Sequence, residues 1–213
     1  MIENIGRPGF EFISKPDPDV VSWVEAQVGL GQYPRYAEIG IGIGATALEV
    51  CRLLDNRGEV HLFDFEDRLA VLQEDLANEG YSNVTAYPNQ RLHWDSYVWQ
   101  LIKLLEDKGE GYFDYVYLDG AHTLFHDLPA YIIAKRLLVE GGLLDFDDYG
   151  WSWGGSPTMN PEKKPWVGEC MTDEQIHAHQ VKMLIDILVD RDSELEAVKP
   201  KKLYRKRPVA NAA

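Results

Sequence analysis

Glu38-Ile39-Gly40-Ile41-Gly42-Ile43-Gly44-Ala45 is the stretch on which the reading of this chain turns. Three glycines alternate with isoleucines after YAEI, a strand-like run, and before TALEVCRLL, a run with helical spacing through Leu48, Cys51 and Leu54. A chain that leaves a strand and enters a helix within a few residues must turn sharply. Glycine permits the positive φ such a turn needs, and its missing Cβ lets a ligand approach bare main chain. The following helix then offers unpaired N–H groups to whatever lies beside it. In an open parallel sheet this is the place where ligands bind.

Working outward, strand and helix patterns alternate. Residues 1–33 form an N-terminal helical segment, in which Pro16, Asp17 and Pro18 precede VVSWVEAQVGL, with Gly29 and Gly31 as stop signals. EVHLFDF (59–65) reads as a strand, and DRLAVLQEDLANEG as a helix with Leu69, Leu72 and Leu76 on one face. VTAY is a short strand. WDSYVWQLIKLLEDKG is a helix capped by Asp95 or Ser96 and closed by Gly109. FDYVYLD is strongly β-prone. HDLPAYIIAKRLLVEGG reads as a helix and LLDFDDY as a strand. Residues 150–171 are rich in Trp, Gly and Pro and exceed the usual connection length, which suggests a substrate loop or lid. Thr172 and Gln175 make a capping box for a helix to about Val189. LEAV and KKLYRK close the chain as two strands with too short a link for a crossover. The expectation is therefore one α/β domain over 1–213: a doubly wound, mostly parallel seven-stranded sheet, Rossmann-like, with a C-terminal antiparallel hairpin.

The chain has 213 residues, and 45% hydrophobic content suits one ordinary globular domain. The net charge of −14 repels nucleic acid and argues against a general DNA or RNA binder. Residues 199–207 hold six bases and no acid, which reads as a solvated edge strand. Cys51 and Cys170 form no C-x-x-C pair, so a reduced compartment is expected. MIENIGRPGF has no signal-peptide pattern and no apolar run is long enough to span a bilayer. The default expectation is a cytoplasmic protein without a membrane partner, and a homodimer is the default assembly. Trp94, Trp99 and Trp166 read as packing residues.

The glycine turn fits two patterns. Gly40, Gly42 and Ala45 satisfy G-x-G-x-x-G/A, the dinucleotide rule. Glu38, Gly40, Gly42 and Gly44 satisfy E-x-G-x-G-x-G, which resembles the S-adenosylmethionine (SAM) turn of class I methyltransferases. A pyrophosphate wants no facing carboxylate, whereas the cationic amino group of SAM does, so Glu38 leans towards SAM. Asp64 ends the second strand 24 residues after Gly40, near the ~20 expected for an acid that accepts ribose hydroxyls. Both cofactors need that acid, so Asp64 does not choose between them.

Two further strands end in acids: Leu118-Asp119-Gly120-Ala121-His122 and Asp145-Phe146-Asp147-Asp148-Tyr149. Strands of the same sense end on one edge, so Asp119, Asp147 and Asp148 converge beside the glycine turn, with Asp145 a spare. Carboxylates that close repel one another unless a cation neutralises them, and oxygen ligands select Mg²⁺ or a similar ion.

These motifs together resemble the small bacterial metal-dependent O-methyltransferases, class I SAM-dependent enzymes with a DG-x-H…LL-x-x-GG…DDY-x-W core. Here the core is Asp119-Gly120-Ala121-His122, Leu137-Leu138, Gly141-Gly142 and Asp147-Asp148-Tyr149-Gly150-Trp151. The resemblance implies Mg²⁺ at Asp119, Asp147 and Asp148. It implies SAM at Glu38, Gly40, Gly42, Gly44, Asp64 and Asp119, with Asn89 and Gln90 on the adenine side. Related enzymes carry a lysine base where this chain has His122, which inherits the role of proton acceptor, with Asp119 beside it. Trp151 and Trp153 would wall the acceptor site. The implied reaction is methyl transfer to a hydroxyl of a small molecule. Rival readings are a metal-independent methyltransferase acting on nitrogen or protein, and an NAD-dependent dehydrogenase using Tyr131 and Lys135.

Overall fold

In a computed structural model, residues 1–208 are described. Short 3₁₀ turns at Ile2–Asn4 and Glu11–Ile13 lead into α1, Pro18–Gly29. Asp17 caps α1 by accepting from the N–H groups of Asp19 and Val20, and Pro18 fills the first helical position, where no N–H is needed. Then follow β1 (Arg35–Ile39), α2 (Ala45–Leu54), β2 (Glu59–Phe65), α3 (Glu66–Asn78), β3 (Val84–Asn89), α4 (Tyr97–Lys108), β4 (Phe113–Leu118), α5 (Leu124–Leu137) and β5 (Leu138–Phe146). Short helices α6 (Trp166–Cys170), α7 (Asp173–His177) and α8 (Gln180–Ile187) precede β6 (Leu195–Lys199) and β7 (Leu203–Lys206).

The sheet has seven strands in the order β3-β2-β1-β4-β5-β7-β6. Strands β1 to β5 are parallel, whereas β7 runs antiparallel to both β5 and β6. This is the expected doubly wound sheet with its closing hairpin. Period-two alternation divides the buried side chains between the two faces. Tyr36, Val60, Leu62, Tyr115, Leu143 and Leu203 pack with α1, α2 and α3. Ala37, Phe63, Phe113, Val116, Leu144 and Tyr204 pack with α4, α5 and α8. No helix among the described residues is long and apolar enough to cross a membrane.

Three expectations are corrected. Residues 138–142 continue no helix: they open β5, with fully buried Leu138 paired opposite Phe113 and a register shift before Tyr115. A run of Leu, Val and Glu carries helix propensity, but Gly141 at φ 80° and pairing with β4 override it. The helix expected from 172 to 189 is broken. Its capping box at Thr172 is present, but Ala178 is extended and α8 starts afresh at Gln180. The break turns Gln180 inward, where its side-chain oxygen accepts from Leu124 N–H (2.9 Å) at the start of α5 and its amide donates to Gln175 O (2.9 Å). Trp94 and Trp99 are not packing residues; they are 79% and 60% exposed.

Candidate active site

The parallel register brings the ends of the central strands level. Ile39 pairs with Phe63 and with Leu118, and Leu118 pairs with Phe146. Past those pairs the backbone stays laced: Gly40 N–H donates to Phe63 O (2.8 Å), Asp119 N–H to Ile39 O (2.9 Å) and Asp147 N–H to Leu118 O (3.2 Å). The glycine turn, Asp64, Asp119 and the Asp147-Asp148 pair therefore share one sheet edge.

Gly40 has φ 87°, and a Cβ there would lie 1.9 Å from the carbonyl oxygen of Asp119. Only glycine lets β1 and β4 leave the sheet this close together. Beneath the turn, Glu38 is buried on the α1 side of the sheet and accepts from Tyr36 OH at 3.0 Å. Burial, opposed by that hydrogen bond and helped by the nearby Asp64 charge, pushes the Glu38 carboxyl up to about 8. Asp64 is also buried, and its two oxygens accept from Ile41 N–H (3.0 Å) and Phe65 N–H (2.6 Å). At the end of β3, Asn89 is buried and its side-chain oxygen has no hydrogen-bond partner. Gln90 is exposed, and its N–H donates to Asp95 (2.6 Å).

The acids beyond β4 and β5 meet at one corner. Ligand atoms of Asp119, His122 and Asp148 all lie within 4.8 Å of one another. His122 Nε2 stands 3.6 Å from Asp119 and 3.4 Å from Asp148. Asp147 is not a member of that group, yet its charge acts on both acids. Burial first, then the charges of Asp147 and Asp148, hold the Asp119 carboxyl well above the usual carboxylate range. Burial and Asp147 push Asp148 up to about 6. Burial holds His122 below its ordinary value, with Asp127 and Asp147 pulling the other way. His122 (φ 53°) and Asp148 (φ 58°) both hold left-handed backbone, a conformation costly for non-glycine residues. The corner is short of positive charge: no lysine or arginine ion pair reaches Asp119 or Asp148 among the described residues.

Asp145, by contrast, is fully buried in a separate cluster with Asp17 and Asp19. Tyr115 OH donates to it at 2.6 Å, and Lys202 Nζ is 2.9 Å from both Asp145 and Asp17. That cluster carries its own cation.

Sequence reading passed over the groups that support the corner. Tyr97 OH donates to buried Asp127 at 2.5 Å and accepts from Ala121 N–H at 3.2 Å. It thereby grips the turn that carries His122. Arg68 was also passed over, although its place four residues after Asp64 was a legible signal. Beyond the corner an aromatic series runs into 150–171: the ring centroids of His122 and Trp151 lie 5.0 Å apart, Trp151 and Trp153 5.1 Å, and Trp153 and Trp166 5.4 Å. Tyr131 and Lys135, the relay a dehydrogenase would need, both engage Asp192 instead.

Among solved structures, the O-methyltransferase TomG of Streptomyces achromogenes, determined with SAM, superposes with a TM-score of 0.61 at 18% identity, covering 97% of this chain and 89% of that one. The methyltransferase PaMTH1 of Podospora anserina, bound to S-adenosylhomocysteine (SAH), gives 0.58 at 18% identity, covering 88% and 76%. An O-methyltransferase of Bacillus cereus in complex with SAH gives 0.58 at 11% identity, covering 90% and 82%. At such identities the likeness is one of fold. A search of curated protein sequences finds no match. A family profile described as a methyltransferase domain matches residues 37–149. A match that runs from within β1 to the acids beyond β5, and takes in over half of the residues, makes this chain a member of the methyltransferase-domain family.

Proposed function

We propose that this methyltransferase transfers the methyl group of SAM to a hydroxyl of a small molecule, with a divalent cation, Mg²⁺ or a close substitute, at the Asp119 corner. The observation that carries this reading is the closure of Asp119, His122 and Asp148 on the sheet edge where Asp119 main chain lies against Gly40. Cofactor and acceptor chemistry then meet at one residue.

The residues fit the cofactor. The turn is open at Gly42, where nothing lies within 4 Å of a built Cβ and a ligand meets bare main chain, and the Asp64 carboxylate keeps acceptor capacity for a ribose diol. The unpartnered Asn89 oxygen suits an adenine amino group. Glu38 would face the cationic amino group, whose arrival favours the ionised carboxylate. When bound, SAM supplies a methyl carbon on a positively charged sulfur.

The donor set also fits a divalent cation. Asp119, Asp147 and Asp148 would hold it, an oxygen set that suits Mg²⁺ and Mn²⁺ alike. Such an ion supplies charge that stabilises a deprotonated hydroxyl oxygen. His122, kept neutral by burial, is in the form that accepts the hydroxyl proton. Segment 150–171, with Trp151 and Trp153, would wall the acceptor and exclude water, and 1–33 would close the other side.

Differential scanning tests the cofactor: SAH raises the melting temperature, and stabilisation by NAD alone overturns the reading. Titration with Mn²⁺ tests the corner: Asp148→Asn should weaken binding by at least ~10-fold, and an unchanged affinity would remove the metal from it. A second reading has one observation in its favour. His122 Nε2 already stands within 4 Å of both Asp119 and Asp148, so the space between the two acids has an occupant without a metal, which favours a metal-independent enzyme acting on nitrogen or protein. Methyl transfer from SAM to an amine or a protein acceptor that survives EDTA would select it.

A further inference from the structure

Helix α3 begins directly after β2, and this places Arg68 one helical turn beyond Asp64. Its guanidinium reaches in two directions. Nη1 lies 3.3 Å from Asp64 Oδ2, and Nη2 donates to the carbonyl oxygen of Gly42 in the middle of the glycine turn. The same Asp64 Oδ2 accepts from Ile41 N–H, while Oδ1 accepts from Phe65 N–H. A single side chain thus ties the end of β2 to the turn after β1. These are the two walls between which the ribose of an adenosyl ligand would lie.

The chemistry suits that task. A guanidinium is a planar fork with fixed donor directions, so engaging a carboxylate and a carbonyl together fixes their separation. Asp64 is only 6% exposed at its side chain, so its charge is poorly solvated and close to buried Glu38. A cation at this point draws the carboxylate towards the glycine turn and fixes its orientation. Oδ1, which accepts only from Phe65 N–H, keeps a lone pair for a ribose hydroxyl.

We propose that Arg68 is a positioning residue for cofactor recognition: it locks Asp64 against the glycine turn so that the carboxylate meets the ribose hydroxyls already oriented. This rests on the SAM reading above and goes beyond it, since it assigns affinity to a side chain that need not touch the ligand. The gain comes from preorganisation, the ordering of a binding group before the ligand arrives.

Isothermal titration with SAH tests it on the wild type, Arg68→Met, Asp64→Asn and the double variant. Arg68→Met should weaken SAH by ~10-fold, and Asp64→Asn by more. In the Asp64→Asn background the Arg68 substitution should add less than about twofold, because two residues acting as a unit are non-additive. A merely structural role would instead lower the melting temperature of the free protein and weaken SAH equally in both backgrounds. If Arg68→Met does not fold, Arg68→Gln, which keeps a donor for Gly42, is judged by the same criteria. A wild-type protein that binds SAH beside an Arg68 variant of unchanged affinity overturns this inference alone, as does full additivity. A wild type that fails to bind SAH removes the cofactor reading and this inference with it.

Discussion

Glu38 and Asp148 show how a carboxyl group takes its behaviour from its surroundings. Glu38 is raised to about 8 chiefly because it is buried. Its proton is held more tightly in the folded than in the unfolded chain, where a glutamate titrates near 4.5. Its contribution to stability is therefore complete below about pH 4.5 and is lost as pH rises towards 8. Glu38→Gln should flatten this dependence, read as urea midpoints at pH 5 and pH 8. An equal fall in wild type and variant would contradict the burial argument. Asp148 owes its rise to about 6 to burial and to the neighbouring charge of Asp147, the kind of shift that a bound cation reverses. The residue types at both positions were plain from sequence, but the charge state at neutral pH was not, because it depends on atoms brought in from other strands.

At the scale of elements, the glycine turn separates backbone permission from space. Gly40 and Gly42 both have positive φ, but only Gly40 faces the main chain of another strand, with its would-be Cβ 1.9 Å from Asp119 O. Nothing lies within 4 Å of a Cβ built on Gly42. Gly42→Ala should thus cost only ~1 kcal/mol for the left-handed conformation. Gly40→Ala should cost more than ~3 kcal/mol, because backbone cannot move aside as a side chain can. Chemical denaturation of the two variants checks the order, and equal losses would refute it. The repeat of glycines was readable without a structure; which of them carries the close approach was not. Likewise β5 was legible only in its second half. Its first half, 138–142, is recruited by pairing with β4, a long-range force that local helix propensity does not register.

For the whole molecule, the notable contrast is between two acid clusters. The Asp17, Asp19 and Asp145 group joins the N-terminal segment to β5, and Lys202 from the turn before β7 neutralises it. That lysine thereby links the two ends of the chain across the sheet. Lys202→Met should destabilise the protein by about 3 kcal/mol at pH 8, since it leaves fully buried Asp145 without its counter-ion. The loss should shrink at pH 5, because burial has already pushed Asp145 up to about 6 and the variant would hold its proton there. Urea unfolding at both pH values checks this, and a loss independent of pH would contradict it. The basic run at 199–207 therefore serves the interior as well as a solvated edge.

The sequence by itself determined the α/β class, the seven strands, the turn at Gly40–Gly44 and the acids at the ends of β4 and β5. Each of these is written in local periodicity, in glycine, or in charge placed after an apolar run. Tertiary structure decided how the acids group. Asp145 and Asp147 are two residues apart, yet Asp145 turns to Lys202 while Asp147 stands beside Asp119 and Asp148. It also decided that Arg68 reaches the glycine turn and that Gln180 reaches α5. Partnership between charged groups falls off over a few ångströms, and only the folded chain sets distances between residues far apart in sequence.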